Sequence, residues 1–284
     1  MNKKIRYIIP NILTLTSLSI GIISITYAMK GKIHTGAWLA FLSMLLDRFD
    51  GMTARKLGAS SSFGLEIDSL ADIVAFGVTP AILLYAIVSS GSPHFRSGIL
   101  QVVPVGISVF WVIASCLRLT KYNIVAQAGE FDDVFQGFPM PVAAGFILSP
   151  MLLLLKYFPG SGYTTSFYDP RFLPMLKNNN GHWLFTVLAI WGALIAIGML
   201  SPLKVPKFKP PEIKWKRIYL AVHAFTLYFM FVIRALPEFI MISALEFLLI
   251  SIVFHLTDKK TKDMKYIPIT DVMQWKIETH RTED

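Results

Sequence analysis

The sequence predicts an all-α, polytopic integral membrane protein, a bundle of about eight transmembrane helices. Three observations predict it. Hydrophobic residues make up 54% of the chain and charged residues only 16%, which is too apolar for an ordinary soluble domain. The apolar residues come in long blocks, several of them long enough to cross a bilayer as a helix. Most charges fall between those blocks, where a spanning helix meets water.

Taken in order, residues 1–8 set Lys3, Lys4 and Arg6 beside Ile5, Tyr7 and Ile8, a basic lead-in suited to a charged membrane face. Pro10 is placed to open a helix in its first turn, so the first span runs from about Ile9 to Met29. Asn11, Thr14 and Thr16 stand at its start, where capping and a functional role weigh about evenly. Further spans are expected over about 35–57, 63–90, 98–120, 139–157 and 183–201. Two more, 218–236 and 239–256, are parted by a tight turn at Pro237. Residues 58–62, 91–97, 124–138 and 158–182 read as turns or loops. Residues 202–217 hold four prolines and six Lys or Arg and read as a linker. The tail, 257–284, is charged and expected to be mobile. Nothing resembles a cleaved signal peptide.

The net charge is +9. Because the basic residues fall in loops, anionic lipid headgroups are the expected partner rather than nucleic acid. With the N-terminus inside and eight spans, the inner segments hold 20 of the 27 Lys and Arg and the outer loops hold 7. That bias sets the N-terminus, the loops after spans two, four and six, and the tail on the cytoplasmic side. Cys116 is the single cysteine, so no intrachain disulfide forms. The six histidines are scattered mainly at span ends, and no pair has ligand spacing.

One stretch organises the chain. Asp47, Asp50, Gly51, Ala54 and Arg55 stand at i, i+3, i+4, i+7 and i+8, one face of a helix. Gly64, Asp68 and Asp72 stand at i, i+4 and i+8, one face of the next. Two helices thus each present two carboxylates near a membrane end, where acids are costly and usually functional. Four facing carboxylates repel unless something positive lies between them. With hard oxygen donors and no Cys or His nearby, the expected ion is Mg²⁺ or Mn²⁺ rather than zinc. Two metals shared by four acids suit phosphoryl transfer. Gly51, Ala54 and Gly64 lack bulk, so a ligand or facing helix can approach the backbone. Arg55 offers a fixed positive fork for phosphate.

This stretch resembles the signature of the CDP-alcohol phosphotransferase family, Asp-x2-Asp-Gly-x2-Ala-Arg-x8-Gly-x3-Asp-x3-Asp. All eight fixed positions match, at Asp47, Asp50, Gly51, Ala54, Arg55, Gly64, Asp68 and Asp72. The resemblance implies a six-helix catalytic core with two added helices: residues 1–201 as the catalytic membrane domain, 202–256 as linker and added helices, 257–284 as a cytoplasmic tail. It implies that Asp47, Asp50, Asp68 and Asp72 hold two metal ions. It implies that Asp72 is also the general base toward the acceptor hydroxyl. Asn11, Gly51, Ala54, Arg55 and Gly64 would bind the CDP-lipid, and family members are usually homodimers.

Three segments resemble the phosphatidylserine synthase branch: Gly64 to Ala81, Cys116-Leu-Arg-Leu-Thr-Lys-Tyr-Asn123, and Gly137 to Gly145. Cys116, Thr120, Lys121 and Tyr122 depart from the more usual Ala-Leu-Arg-Leu-Ala-Arg-Phe-Asn. The branch implies CDP-diacylglycerol as donor and L-serine as acceptor, in the cytoplasmic membrane with the site facing the cytoplasm. Arg118, Lys121 and Asn123 are the candidate acceptor residues, since a carboxylate pairs well with Arg118. Ordinary inward-facing positive charge explains them equally well. Other acceptors (glycerol phosphate, inositol phosphate, choline) or an archaeal-type lipid donor fit the same reaction class, although a phosphorylated acceptor would want a denser basic pocket. From another class, a cation or proton transporter would use such acids as a relay, but has no need of Gly51, Ala54, Arg55 and Gly64 at fixed spacing.

Overall fold

A computed structural model describes residues 3–59, 61–127, 134–158, 172, 181–206, 214–257 and 266–273. The described elements are α1 (Lys3–Met29), α2 (Ile33–Leu57), α3 (Ser62–Asp72), a π-helical segment (Ile73–Val78), α4 (Thr79–Gly91), α5 (Val102–Gln127), α6 (Met140–Tyr157), α7 (Trp183–Leu200), α8 (Lys214–Ile233), α9 (Pro237–Thr257) and α10 (Ile269–Val272). The sequence-predicted loop 158–182 lies almost wholly outside the described residues.

Among the described residues, six helical stretches are both long and apolar enough to cross a membrane: 6–29, 62–91, 99–126, 140–157, 183–200 and 237–257. The expected count of eight exceeds this by α2 and α8. The second half of α2 carries Asp47, Arg48, Asp50, Arg55 and Lys56, which takes it out of the uniformly apolar class. The described apolar part of α8 runs only over Ala221–Met230.

α1 begins at Lys3, so Pro10 lies inside the helix rather than opening it. A proline's φ already suits a helix, and what it forfeits is one N–H donor. α1 and α2 form a tight antiparallel pair through small polar residues. Ser17 and Ser43 each donate to the other's carbonyl at 2.9 Å, and Ser24 donates to Gly36 O at 2.7 Å. Small side chains let two backbones come this close, which is how helices associate where water supplies no hydrophobic drive.

α6 is the central helix. Ala143, Ala144, Ile147, Leu148, Met151 and Leu152 are fully buried, against α2, α4, α7 and α9. The helix from Ser62 to Gly91 is continuous, but its register changes at the π turn directly after Asp72. The Trp111 indole N–H donates to Phe76 O within that turn at 3.2 Å, so a carbonyl displaced from the regular ladder is still paired.

Two three-residue strands interrupt the helical pattern: β1 (Val134–Gln136) pairs antiparallel with β2 (Lys204–Pro206). Gly137 follows β1 at φ +76, where an added Cβ would collide with Met199 O. Only glycine fits that turn, which sets the start of α6 against the end of α7. The sequence reading places no strand here, because a three-residue ribbon leaves almost no periodic signal.

Candidate active site

The charged end of α2 and the start of α3 face one another beside the start of α1. Carboxylate oxygens of Asp47, Asp50 and Asp68 lie within 4.8 Å of one another. Asp50 is buried, and the Thr14 hydroxyl of α1 donates to its Oδ2 at 2.6 Å. Asp72 is close enough to Asp47 and Asp68 for electrostatic interaction. Asp47 Oδ1 is buried and has no hydrogen-bond partner among the described residues. A buried acceptor left unpaired is costly. Three converging carboxylates with one orphaned oxygen fit a divalent cation that takes hard oxygen ligands. The donor set therefore suits Mg²⁺ or Mn²⁺.

Two cavities meet at these acids. The smaller, about 190 Å³, is lined by Pro10, Asn11, Thr14, Ala54, Ser61 and Gly64, together with Asp50, Gly51, Arg55 and Asp68. The larger, about 630 Å³, is lined by the same Asp50, Gly51, Arg55 and Asp68, with Asp47 and Asp72 added. Its remaining wall is mostly apolar: Phe41 and Met44 of α2, Val142 and Phe146 of α6, Leu227 of α8, Ile240 and Phe247 of α9. The acids and Arg55 thus stand where the two cavities join, and the larger continues away from them along an apolar wall built by α2, α6, α8 and α9.

Asn11 approaches from α1. A Cβ on Gly64 would stand 3.3 Å from Asn11 Oδ1 and 3.1 Å from Ser61 Oγ, so glycine keeps the neck of the small cavity open. Ser61 caps α3 by accepting from Gly64 N–H at 3.0 Å, the usual service of a serine at a helix N-terminus.

The candidate acceptor residues are placed unequally. Arg118 is buried, close enough to Asp72 for electrostatic interaction. Its Nε donates to Phe138 O at 3.2 Å, and its guanidinium lies 5.2 Å from the Tyr122 ring. Tyr122 lines the large cavity. Lys121 sits one turn on and donates to Gln136 Oε1 at 3.2 Å. Asn123 turns toward α3, donating to Ser69 Oγ at 3.0 Å. None of Arg118, Lys121 and Asn123 lines either cavity.

The sequence reading does not foresee the contribution of α8 and α9. Tyr228, Ile240, Ser243, Ala244 and Phe247 line the large cavity. Their residue types are those of any membrane helix, so only tertiary packing reveals them.

This is a helical membrane protein in which two helices share a carboxylate cluster, set where two cavities join. The CDP-alcohol phosphatidyltransferase family profile matches residues 7–197. A CDP-diacylglycerol–serine O-phosphatidyltransferase of Helicobacter pylori is 30% identical over 257 residues, covering 88% of this chain and 95% of that protein. One of the same name from Bacillus subtilis is 35% identical over 153 residues, 52% of this chain and 80% of its own length. An archaetidylserine synthase of Methanothermobacter thermautotrophicus is 36% identical over 143 residues, 50% of this chain and 56% of its own. The chain belongs to the CDP-alcohol phosphatidyltransferase family and is an integral membrane enzyme of the phosphotransferase class.

Proposed function

We propose that this enzyme transfers a phosphatidyl group from CDP-diacylglycerol to L-serine, giving phosphatidylserine and CMP. The observation that carries the reading is that two cavities join at the acids and Arg55, the larger running on along an apolar wall. A CDP-lipid is itself divided this way, with a polar nucleotide, a pyrophosphate and an apolar diacylglycerol. Its nucleotide suits the small cavity with Asn11, Ala54 and Gly64, its acyl chains suit the apolar wall of the large one, and its pyrophosphate falls between, at the carboxylates and Arg55. The serine acceptor is drawn from the names of the relatives from H. pylori and B. subtilis.

Asp47, Asp50, Asp68 and Asp72 would hold two Mg²⁺ or Mn²⁺ ions, which when bound polarise the pyrophosphate and offset its charge. Asp72 takes the proton from the serine hydroxyl as general base. The serine oxygen forms a bond to the lipid-linked phosphorus, and the bond from that phosphorus to the CMP oxygen breaks. Arg55 offsets the charge gathering on the leaving CMP. Arg118 pairs with the serine carboxylate from the α5 side, with Lys121 and Asn123 completing the acceptor end.

In this reading residues 1–201 are the catalytic membrane domain and residues 202–256 the linker and added helices. Residues 257–284 form the cytoplasmic tail. The protein lies in the cytoplasmic membrane as a homodimer with its site facing the cytoplasm. The match to an archaetidylserine synthase supports a second reading of the donor, an archaetidyl lipid with the same acceptor.

An acceptor panel tests the proposal. Purified protein in mixed micelles is given CDP-diacylglycerol with serine, glycerol phosphate, inositol phosphate or choline, and the lipid products are identified. Phosphatidylserine should form with serine alone. A product from another acceptor and none from serine would overturn the assignment and leave the reaction class intact. An archaetidyl donor turned over in preference to CDP-diacylglycerol would favour the second reading.

A further inference from the structure

The C-terminal segment 266–273 is seated against the end of α5 by three anchors. The Tyr266 hydroxyl donates to Leu200 O, at the end of α7, at 2.9 Å. The Ile267 N–H donates to Gln136 Oε1 of β1 at 3.2 Å. α10 then packs on α5 with Val272 buried. Although the tail reads as charged and mobile in sequence, this part of it is built into the fold.

The seat holds the half-buried ammonium of Lys121. Lys121 Nζ donates to the same Gln136 Oε1 at 3.2 Å, and lies 4.2 Å from the centre of the Tyr266 ring. One amide oxygen thus receives a donor from α5 and a donor from the tail, while the face of an aromatic ring covers the ammonium. A lysine side chain is otherwise flexible. Here it is held from two sides by groups 15 residues and far more distant in sequence. Lys121 stands one helical turn from Arg118, which is close enough to Asp72 for electrostatic interaction.

We infer that Tyr266 and Gln136 are positioning residues of the acceptor site, fixing the Lys121 ammonium so that it meets an amino-acid carboxylate without first being ordered. Pre-ordering of this kind strengthens binding by cutting the cost of immobilising a flexible side chain. The inference rests on the acceptor role proposed above for Lys121. It goes further in making the distant C-terminal segment part of the catalytic unit, with its effect confined to acceptor binding.

The test uses purified full-length protein and initial rates with serine varied at saturating CDP-diacylglycerol, then the reverse. Tyr266→Ala should raise the serine KM about three- to tenfold, as expected for loss of a cation–ring contact and its tether, with kcat and the donor KM within about twofold of the parent. Tyr266→Phe, which keeps the ring, should stay close to the parent. Lys121→Met should raise the serine KM on its own, and adding Tyr266→Ala to it should change nothing more. Gln136→Leu carries the same test should Tyr266→Ala not purify as a folded protein. If Lys121→Met raises the serine KM while both positioning variants leave it unchanged, the inference falls and the acceptor role of Lys121 stands. If Lys121→Met leaves the serine KM unchanged, the acceptor role falls and takes the inference with it. A loss of kcat in Tyr266→Ala with no change in serine KM would assign the tail a purely structural role.

Discussion

Lys156 Nζ lies 2.8 Å from the Glu238 carboxylate, with both side chains cut off from solvent. The Tyr157 hydroxyl donates to the same carboxylate. This buried charge pair joins the end of α6 to the start of α9, at the opposite end of the bundle from the acids. It fixes α9 in the groove where Ile240, Ser243 and Phe247 become cavity wall. Glu238→Ala strands the ammonium without its carboxylate and should lower stability by about 3–5 kcal/mol, whereas Lys156→Met with Glu238→Met should recover most of the loss. Denaturation midpoints of the purified variants decide it. A double variant as unstable as Glu238→Ala would mean that the pair does not act as a unit.

Thr14 belongs with the acids because its hydroxyl holds Asp50 Oδ2 at 2.6 Å. A group that orients a metal ligand commonly costs 10–100-fold in metal affinity or activity, as an order of magnitude, when removed. Thr14→Val should therefore raise the half-saturating Mg²⁺ or Mn²⁺ concentration about tenfold while leaving the serine KM unchanged. Thr14→Ser should restore the parent value. A metal titration of Thr14→Val that overlays the parent's would separate Thr14 from the carboxylate cluster.

Orientation rests on the charge bias of 20 against 7 Lys and Arg. Ser62, at the acid end of the bundle, and Ser97, at the far end, are both exposed. In a Cys116→Ser background, Ser62→Cys should react with an impermeant thiol reagent only from the cytoplasmic side, and Ser97→Cys only from outside. The reverse pattern would place the nucleotide site on the wrong side of the membrane for a cytoplasmic CMP product.

The helical class and the eight-residue motif are legible in the sequence because both are local. Asp47 and Asp50 share a face through spacing alone, as do Gly64, Asp68 and Asp72. What joins the two faces is tertiary, and so is what surrounds them. Thr14 reaches Asp50 across 36 residues, and as a lone threonine near a helix start it reads equally as a cap. Lys156 reaches Glu238 across 82 residues, so nothing near either residue marks α9 as part of the cavity. Tyr266 reads as one more aromatic in a charged tail, since its partners Lys121 and Leu200 come from helices completed far earlier in the chain. The π turn after Asp72 leaves the apolar pattern almost unchanged, so its register shift is invisible in sequence.

If the carboxylate cluster holds metal ions for phosphatidyl transfer to serine, as proposed above, CMP release depends on both the metal and serine. CMP release from CDP-diacylglycerol tests it most directly, measured for the parent, Asp68→Asn and Asp72→Asn, with and without serine and after chelation. Serine-dependent CMP release is expected, stopping with chelator and returning with Mg²⁺ or Mn²⁺. Asp68→Asn should abolish it, and Asp72→Asn should slow turnover by on the order of 10²–10⁴-fold with donor binding largely kept. Full CMP release from metal-free protein, or from folded Asp68→Asn, would contradict it.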